Sequence, residues 1–123
     1  MELSLNEYQE RAMTTCMESS NNFSYMFLNL VGEVGEFASK VAKHIRKEKA
    51  YISENYLFTE LCAYEEEEEL KKEAGDILWQ LSGLCKVMGW KLEDVAKQNL
   101  DKLAARKAAE TIDGNGDGII RDK

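Results

Sequence analysis

Apolar residues recur every three to four positions in four segments of this chain, which is the spacing that places them on one face of an α-helix. The predicted helices cover residues 4–16, 24–47, 65–88 and 92–110. Ser4 to Glu7 has the Ser-x-x-Glu form of a capping box, and Gly89 stands where a helix can end. The pattern predicts an all-α fold, a four- to five-helix bundle with the second and third helices packed antiparallel at its centre. In the fourth helix, the inward face is expected to comprise Leu92, Val95, Ala96, Leu100, Leu103 and Ala104.

Two segments depart from the helical period. Residues 48–64 are too apolar for a free linker, with Tyr51 and Phe58 among them, and are interpreted as a short helix or a packed loop. Three glycines near the end of the chain predict a loop. We therefore predict one helical domain over residues 1–110, which includes the insertion, and a glycine-rich tail over residues 111–123.

The composition limits the partners that the protein is expected to bind and the compartment in which it is expected to act. The chain has 123 residues and a net charge of −7, so its surface would repel a nucleic-acid polymer. No run approaches the roughly 20 apolar residues that span a bilayer, and no secretory signal is visible. Three widely separated cysteines fit reduced thiols in a cytoplasmic protein. A chain this small builds a thin core, so a homodimer or homotetramer is expected.

Two pairs of acidic residues stand in the middle of the two central helices. Glu33 and Glu36 lie in the second, and Glu73 and Asp76 in the third. A spacing of three residues puts each pair on one helix face, so two packed helices could bring four carboxylates together. Such hard oxygen ligands suit Mg²⁺ or Mn²⁺. The alternative is a solvated surface, since acidic residues three apart also occur elsewhere, as at Glu66 and Glu69 on a glutamate run.

The histidine content argues against other metal chemistry. A di-iron bundle needs two Glu-x-x-His motifs, but the only histidine is His44, and Val41 stands three residues before it. His44 lies near a predicted helix end and is interpreted as a surface or dipole-stabilising residue. Glu66 is likewise interpreted as solvated surface.

Several motifs together resemble the MazG-like nucleotide pyrophosphohydrolases. Residues 30–36 and 73–79 resemble that family's Glu-x-x-Glu, spacer, Glu-x-x-Asp signature. Residues 99–106 look like its Asn-x-x-Lys-Leu-x-x-Arg helix, and residues 114–117 like its Gly-x-Gly-Asp loop. Tyr8 and Gln9 also fit the family's first helix. The spacer between the two acidic motifs is longer than is common in the family.

The resemblance implies an activity and a role for each motif. Family members hydrolyse a nucleoside triphosphate to the monophosphate and pyrophosphate, with Mg²⁺ held by four acids. In this chain the acids would be Glu33, Glu36, Glu73 and Asp76, while the phosphates, sugar and base would meet Asn99, Lys102, Arg106 and Trp79. For the three residues of the fourth helix a solvated helix face is the alternative, and for Trp79 a place in the core or an interface.

Two other classes of protein remain open. Residues 113–118 match the opening of an EF-hand Ca²⁺ loop, although the glutamate required at the twelfth loop position is missing. The chain could also be a helical interaction module without catalysis.

Overall fold

The computed structural model describes residues 2–48, 50–52, 57–59 and 63–113. Its elements in chain order are α1 (Leu5–Met13), a 3₁₀ turn (Glu18–Ser20), α2 (Phe23–Arg46), β1 (Ala50–Ile52), β2 (Leu57–Thr59), α3 (Ala63–Val87) and α4 (Leu92–Asp113). The four predicted helices are confirmed, with bounds that shift by less than one turn. The fold is therefore built almost entirely from α-helices.

Local signals in the sequence set two of the helix ends. Ser4 Oγ accepts a hydrogen bond from the backbone N–H of Glu7 at 3.0 Å, as expected of an N-cap. At the end of α3, Gly89 adopts a φ of 77°, which favours glycine. The backbone N–H of Gly89 donates to Lys86 O at 2.9 Å, and that of Trp90 donates to Cys85 O at 2.8 Å. This pair of bonds is a Schellman motif, and it turns the chain toward α4.

α2 and α3 form the antiparallel pair at the centre, as predicted. Near the start of α2, the fully buried Met26 packs against Gly83 near the end of α3. At the other end of the pair, His44 of α2 lies beside Glu66 of α3. A Cβ on Gly83 would collide with Met26 Sδ, so the glycine lets the two helices approach at this point.

The interpretation of residues 48–64 as a short helix is wrong for the part that the structure describes. β1 and β2 pair antiparallel there, with Tyr51 opposite Phe58. β-branched and aromatic residues favour strands, and this segment lacks the helical period that α2 and α3 show. In the chain, the hairpin lies between the C-terminus of α2 and the N-terminus of α3. The remaining residues between β1 and β2 lie outside the described part.

The predicted tail begins later than expected, because α4 continues through Asp113. The glycine loop and the possible EF-hand loop fall on residues 114–123, which lie outside the described part. The division into a domain over residues 1–110 and a tail stays a prediction.

The inward face predicted for α4 is wrong in its second half. Leu92 is buried, whereas Leu100 and Leu103 are 65% and 47% exposed; Ala104 is also exposed. Periodicity identifies an apolar face but does not say whether another element covers it.

The buried core of the described residues is small. Its apolar members are Met13, Met26, Leu70, Cys85 and Leu92. Many large apolar side chains on α2 and α4 remain exposed instead. None of the helices in the described ranges has the length and apolar content needed to cross a bilayer.

Gln9 joins α1 to the turn between α3 and α4. Its Nε2 donates to Ser82 O at 3.3 Å and to Trp90 O at 3.0 Å, while its Oε1 accepts from Leu92 N at 3.0 Å. All the hydrogen-bonding atoms of this buried amide are therefore engaged with backbone groups.

Replacing Gln9 by alanine should destabilise the protein by about 3 kcal/mol, because three backbone groups would lose their partner and two of them belong to the buried residues Ser82 and Leu92. Urea unfolding followed by circular dichroism measures the change. Gln98→Ala, at an exposed position on α4, is the matched control and should cost little. A loss below about 1 kcal/mol for Gln9→Ala would show that solvent replaces these bonds without penalty.

Candidate metal centre

The packing of α2 against α3 brings three carboxylates together. One oxygen from each of Glu33, Glu73 and Asp76 lies within 4.8 Å of the other two. Ligands of a six-coordinate Mg²⁺ at 2.0–2.1 Å are roughly 3 to 4 Å apart, so a small adjustment of these side chains could enclose one ion. Glu33 is half-buried and Asp76 is exposed, which leaves the centre open to solvent.

Two local spacings and one tertiary contact build the cluster. Glu73 and Asp76 are one turn apart in the middle of α3, and Glu33 lies on the face of α2 that meets them. Glu36, predicted as the fourth ligand, is exposed and lies outside this group of three. It is about 4.5 Å further along the axis of α2 than Glu33. The structure thus brings three of the four predicted acids into one group and leaves Glu36 at its margin.

The electrostatics of the cluster favour a cation. Burial raises the pKa of Glu33, and the negative charges of Asp76, Glu73 and Glu36 raise it further, in that order. Both effects disfavour the carboxylate form. A divalent cation among these groups would relieve the repulsion, so the chemistry of the donor set fits Mg²⁺ or Mn²⁺.

Tyr8 is a neighbour of the cluster that sequence reasoning did not assign to the site. Burial raises the pKa of its phenol, and the charge of Asp76 raises it further. Tyr8 belongs to α1 and is half-buried, and α1 packs against α3, the helix that carries Asp76. In the sequence, Tyr8 fits the first helix of the family that the chain resembles. Its place in the helical period, however, indicated only the apolar face of α1.

The substrate residues predicted on α4 differ in their exposure to solvent. Asn99 and Lys102 are exposed, and Arg106 is half-buried. A surface cavity of about 700 Å³ contains Asn99 and Lys102 in its lining, together with Val95, Gln98 and Asp101. Their roles toward a nucleotide stay predictions.

Trp79 is anchored to α1. Its indole N–H donates to Ala12 O at 3.2 Å and to Thr15 Oγ1 at 3.0 Å. The ring is half-buried, which agrees with the alternative of a place in an internal interface. Stacking on a base stays a prediction and would have to use a ring face.

His44 and Glu66 are not at the surface, contrary to the surface position predicted for Glu66 and considered for His44. They are 8% and 5% exposed, with 3.9 Å between His44 Nδ1 and Glu66 Oε1. His44 Nε2 lies 3.1 Å from Glu69 Oε1, and Lys40 Nζ lies 4.0 Å from Glu69 Oε2. The other interpretation of His44, a dipole-stabilising residue in the last turn of α2, stays a prediction. A run of five glutamates in a helix covers every face, so some of them must meet the neighbouring helix.

Comparison with known proteins identifies the family. Residues 21–109 match the MazG nucleotide pyrophosphohydrolase domain. This chain belongs to the MazG family. The range that matches the MazG domain includes both acidic pairs and the predicted substrate residues, whereas α1 with Tyr8 precedes it.

One relative of this MazG chain is the Gene 37 protein of Mycobacterium phage L5. The two are 34% identical over 100 residues, which cover 81% of this chain and 79% of the relative. The comparison with solved structures finds no match. Membership of the MazG family favours a hydrolase that acts on nucleotides over a helical module without catalysis.

Proposed function

We propose that this chain hydrolyses a ribo- or deoxyribonucleoside triphosphate to the monophosphate and pyrophosphate, with Mg²⁺ as cofactor and Mn²⁺ as a possible substitute. The observation that carries the proposal is the group formed by Glu33, Glu73 and Asp76. These carboxylates come from two helices, belong to the motifs that resemble the MazG signature, and lie within the range that matches the family domain.

The proposed role of each residue at the centre follows from its position. Glu33, Glu73 and Asp76 would hold the cation, which supplies the positive charge that stabilises phosphoryl oxygens. Glu36 is exposed and outside this group, so it is the carboxylate available to accept the proton of the attacking water.

On α4, the positive charges of Lys102 and Arg106 would bind phosphate oxygens, and the amide of Asn99 would donate to phosphate or sugar. The cavity that includes Asn99 and Lys102 supports this proposal because it provides space beside both side chains. Trp79 would bind the base through a face of its ring.

Mg²⁺ should raise the melting temperature by several degrees, because a ligand that binds only the folded state stabilises it by mass action. Thermal unfolding in EDTA and in millimolar Mg²⁺ measures the shift. Glu33→Gln should abolish it, and without Mg²⁺ the same variant should melt no lower than the wild type, since it removes like-charge repulsion. Glu67→Gln, at an exposed position on α3, is the control and should keep the full shift. An unchanged shift in Glu33→Gln would contradict the assigned site.

A panel of ribo- and deoxyribonucleoside triphosphates tests the reaction itself. We expect Mg²⁺-dependent release of pyrophosphate from at least one of them. Folding that depends on Ca²⁺, with no turnover, would instead support the EF-hand alternative for the tail. Neither response would support a helical module without catalysis.

The exposed apolar side chains of α2 and α4 also support the proposal of a homodimer or homotetramer. Their number exceeds that of the buried apolar residues in the described part of the chain, as expected when a further surface is covered on assembly.

A further inference from the structure

Gln80 is buried in the interface between α2 and α3, one turn after Asp76, and its side chain is only 4% exposed. Asp76, Gln80 and Gly83 follow each other at spacings of four and three residues, so they share one face of α3. Asp76 lies beside Glu33 of α2. Gly83 packs against Met26 of the same helix. Gln80, between these two contacts, therefore faces α2 as well.

The side-chain oxygen of Gln80 is shielded from solvent and pairs with no donor in the described part of the chain. A buried acceptor without a partner costs about 1–3 kcal/mol. The backbone N–H groups inside α3 already donate to carbonyls of their own helix. Asn29, three residues after Met26 and four before Glu33, stands opposite Gln80 on α2. Its amide donates to Tyr25 Oη at 3.4 Å instead.

Two other buried oxygens without partners have local explanations. Ser82 Oγ is fully buried, but a serine in a helix can turn its hydroxyl toward the backbone carbonyl one turn earlier. Glu66 Oε2 belongs to a carboxylate whose other oxygen lies 3.9 Å from His44 Nδ1. Gln80 has neither a rotatable donor nor such a neighbour, and it is the one of the three that stands next to the acidic centre.

The direction of the side chains brings Gln80 and the acidic centre together. Side chains of an α-helix lean toward its N-terminus, so the amide of Gln80 leans over the turn that carries Asp76. Because α2 runs antiparallel to α3, Glu33 leans the opposite way, toward the turn of α2 that faces Gln80. The rise from residue 76 to residue 80 is about 6 Å, which a glutamine side chain and one water molecule together span.

We propose that Gln80 Oε1 accepts a hydrogen bond from a water in the hydration shell of the divalent cation that Glu33, Glu73 and Asp76 would hold. The inference rests on the proposed function, since it assigns a further residue to the same centre. Octahedral Mg²⁺ gives up its waters reluctantly and keeps several of them in protein sites, so three carboxylates leave waters that need acceptors.

Gln80 is thus a positioning residue, because it acts on the cation through water and does not touch the reacting phosphate. Its amide is uncharged, so it adds an acceptor without adding to the repulsion among the carboxylates. Hydrogen-bond partners in the shell around the direct ligands typically contribute about 10- to 100-fold to metal affinity.

Isothermal titration of Mg²⁺ into the metal-free protein tests this role. Gln80→Met keeps the length and approximate volume of the side chain and removes its oxygen. We expect this variant to bind Mg²⁺ about 10- to 100-fold more weakly than the wild type. In EDTA it should melt at or above the wild-type temperature, because it removes a buried acceptor that has no partner.

Two matched variants control for packing and for the loss of a buried oxygen. Met26→Leu alters the same interface at a fully buried position without removing a polar atom. Ser82→Ala removes a buried, unpaired oxygen from a face of α3 away from the acidic centre. Both should keep the Mg²⁺ affinity of the wild type, whatever they do to the melting temperature. Circular dichroism establishes that each variant is folded before the titration.

The results separate this inference from the proposed centre. Wild-type Mg²⁺ affinity in folded Gln80→Met would overturn the role of Gln80 and leave the centre standing, and Glu33→Gln would then still abolish binding. An equal loss of affinity in Met26→Leu would also overturn it, because packing alone would then set the affinity. A wild type that binds no Mg²⁺ would overturn the centre and the role of Gln80 together.

Discussion

Asp76→Asn should reduce the rate of pyrophosphate release by about 100-fold or more while leaving the fold intact. The amide keeps the size of the side chain and one of its oxygens, but it removes a negative charge from the group that would hold Mg²⁺. A bound metal contributes several kcal/mol to stabilisation of the transition state, and each 1.36 kcal/mol is about tenfold in rate. Asp76 is exposed, so little buried structure depends on it.

Comparison of Asp76→Asn with Glu36→Gln distinguishes binding of the cation from acceptance of the proton. Glu36→Gln should also lose most turnover, yet it should keep most of the Mg²⁺-dependent thermal shift, because Glu36 lies outside the group of three. Asp76→Asn should lose both. Asp94→Asn, at an exposed position in the first turn of α4, is the matched control for turnover. Turnover near the wild-type rate by Asp76→Asn at saturating Mg²⁺ would refute the assigned centre.

His44→Ala should lower the free energy of unfolding by about 3 kcal/mol, with a melting temperature lower by on the order of 10 °C. The substitution leaves the carboxylate of Glu66 buried and removes the imidazole that lies 3.9 Å from it. In the described part of the chain, Glu66 Oε2 already lacks a hydrogen-bond donor. Removing one member of a buried polar pair costs more than the pair itself contributes, because the other member is left without compensation.

A double variant checks this interpretation of His44. The combined change of His44 and Glu66 to leucine should cost less than His44→Ala, since it removes both polar groups and keeps apolar volume between α2 and α3. Glu67→Gln, at the exposed position next to Glu66, should be nearly silent in urea unfolding. A cost below about 1 kcal/mol for His44→Ala would mean that the carboxylate of Glu66 reaches water without it.

Features with a local cause could be predicted from the sequence. Ser4 and Gly89 act within one helical turn, so their roles at helix ends follow from the neighbouring residues alone. The convergence of Glu33, Glu73 and Asp76 could also be predicted. A spacing of three residues fixes the face of a helix, and the two longest apolar stripes had to pack together.

Features that depend on tertiary placement could not be predicted. Nothing in the run of five glutamates distinguishes Glu66, which faces α2, from the exposed Glu67 beside it. The apolar pattern of α4 does not reveal that Leu100 stays exposed. The proximity of Tyr8 to Asp76 requires the docking of α1, which depends on the hydrogen bonds of Gln9 to residues more than 70 positions away.

The hydrogen bonds that anchor Trp79 to α1 make its fluorescence a reporter of the contact between α1 and α3. An indole whose N–H donates to Ala12 O and Thr15 Oγ1 should change its emission when α1 moves away from α3, because the ring then exchanges these acceptors for water. Replacing the chain's other tryptophan, Trp90, by phenylalanine would leave a single fluorophore. Stopped-flow fluorescence of that variant would time the arrival of the first helix at the remainder of the bundle, independently of circular dichroism, which reports on the helices themselves.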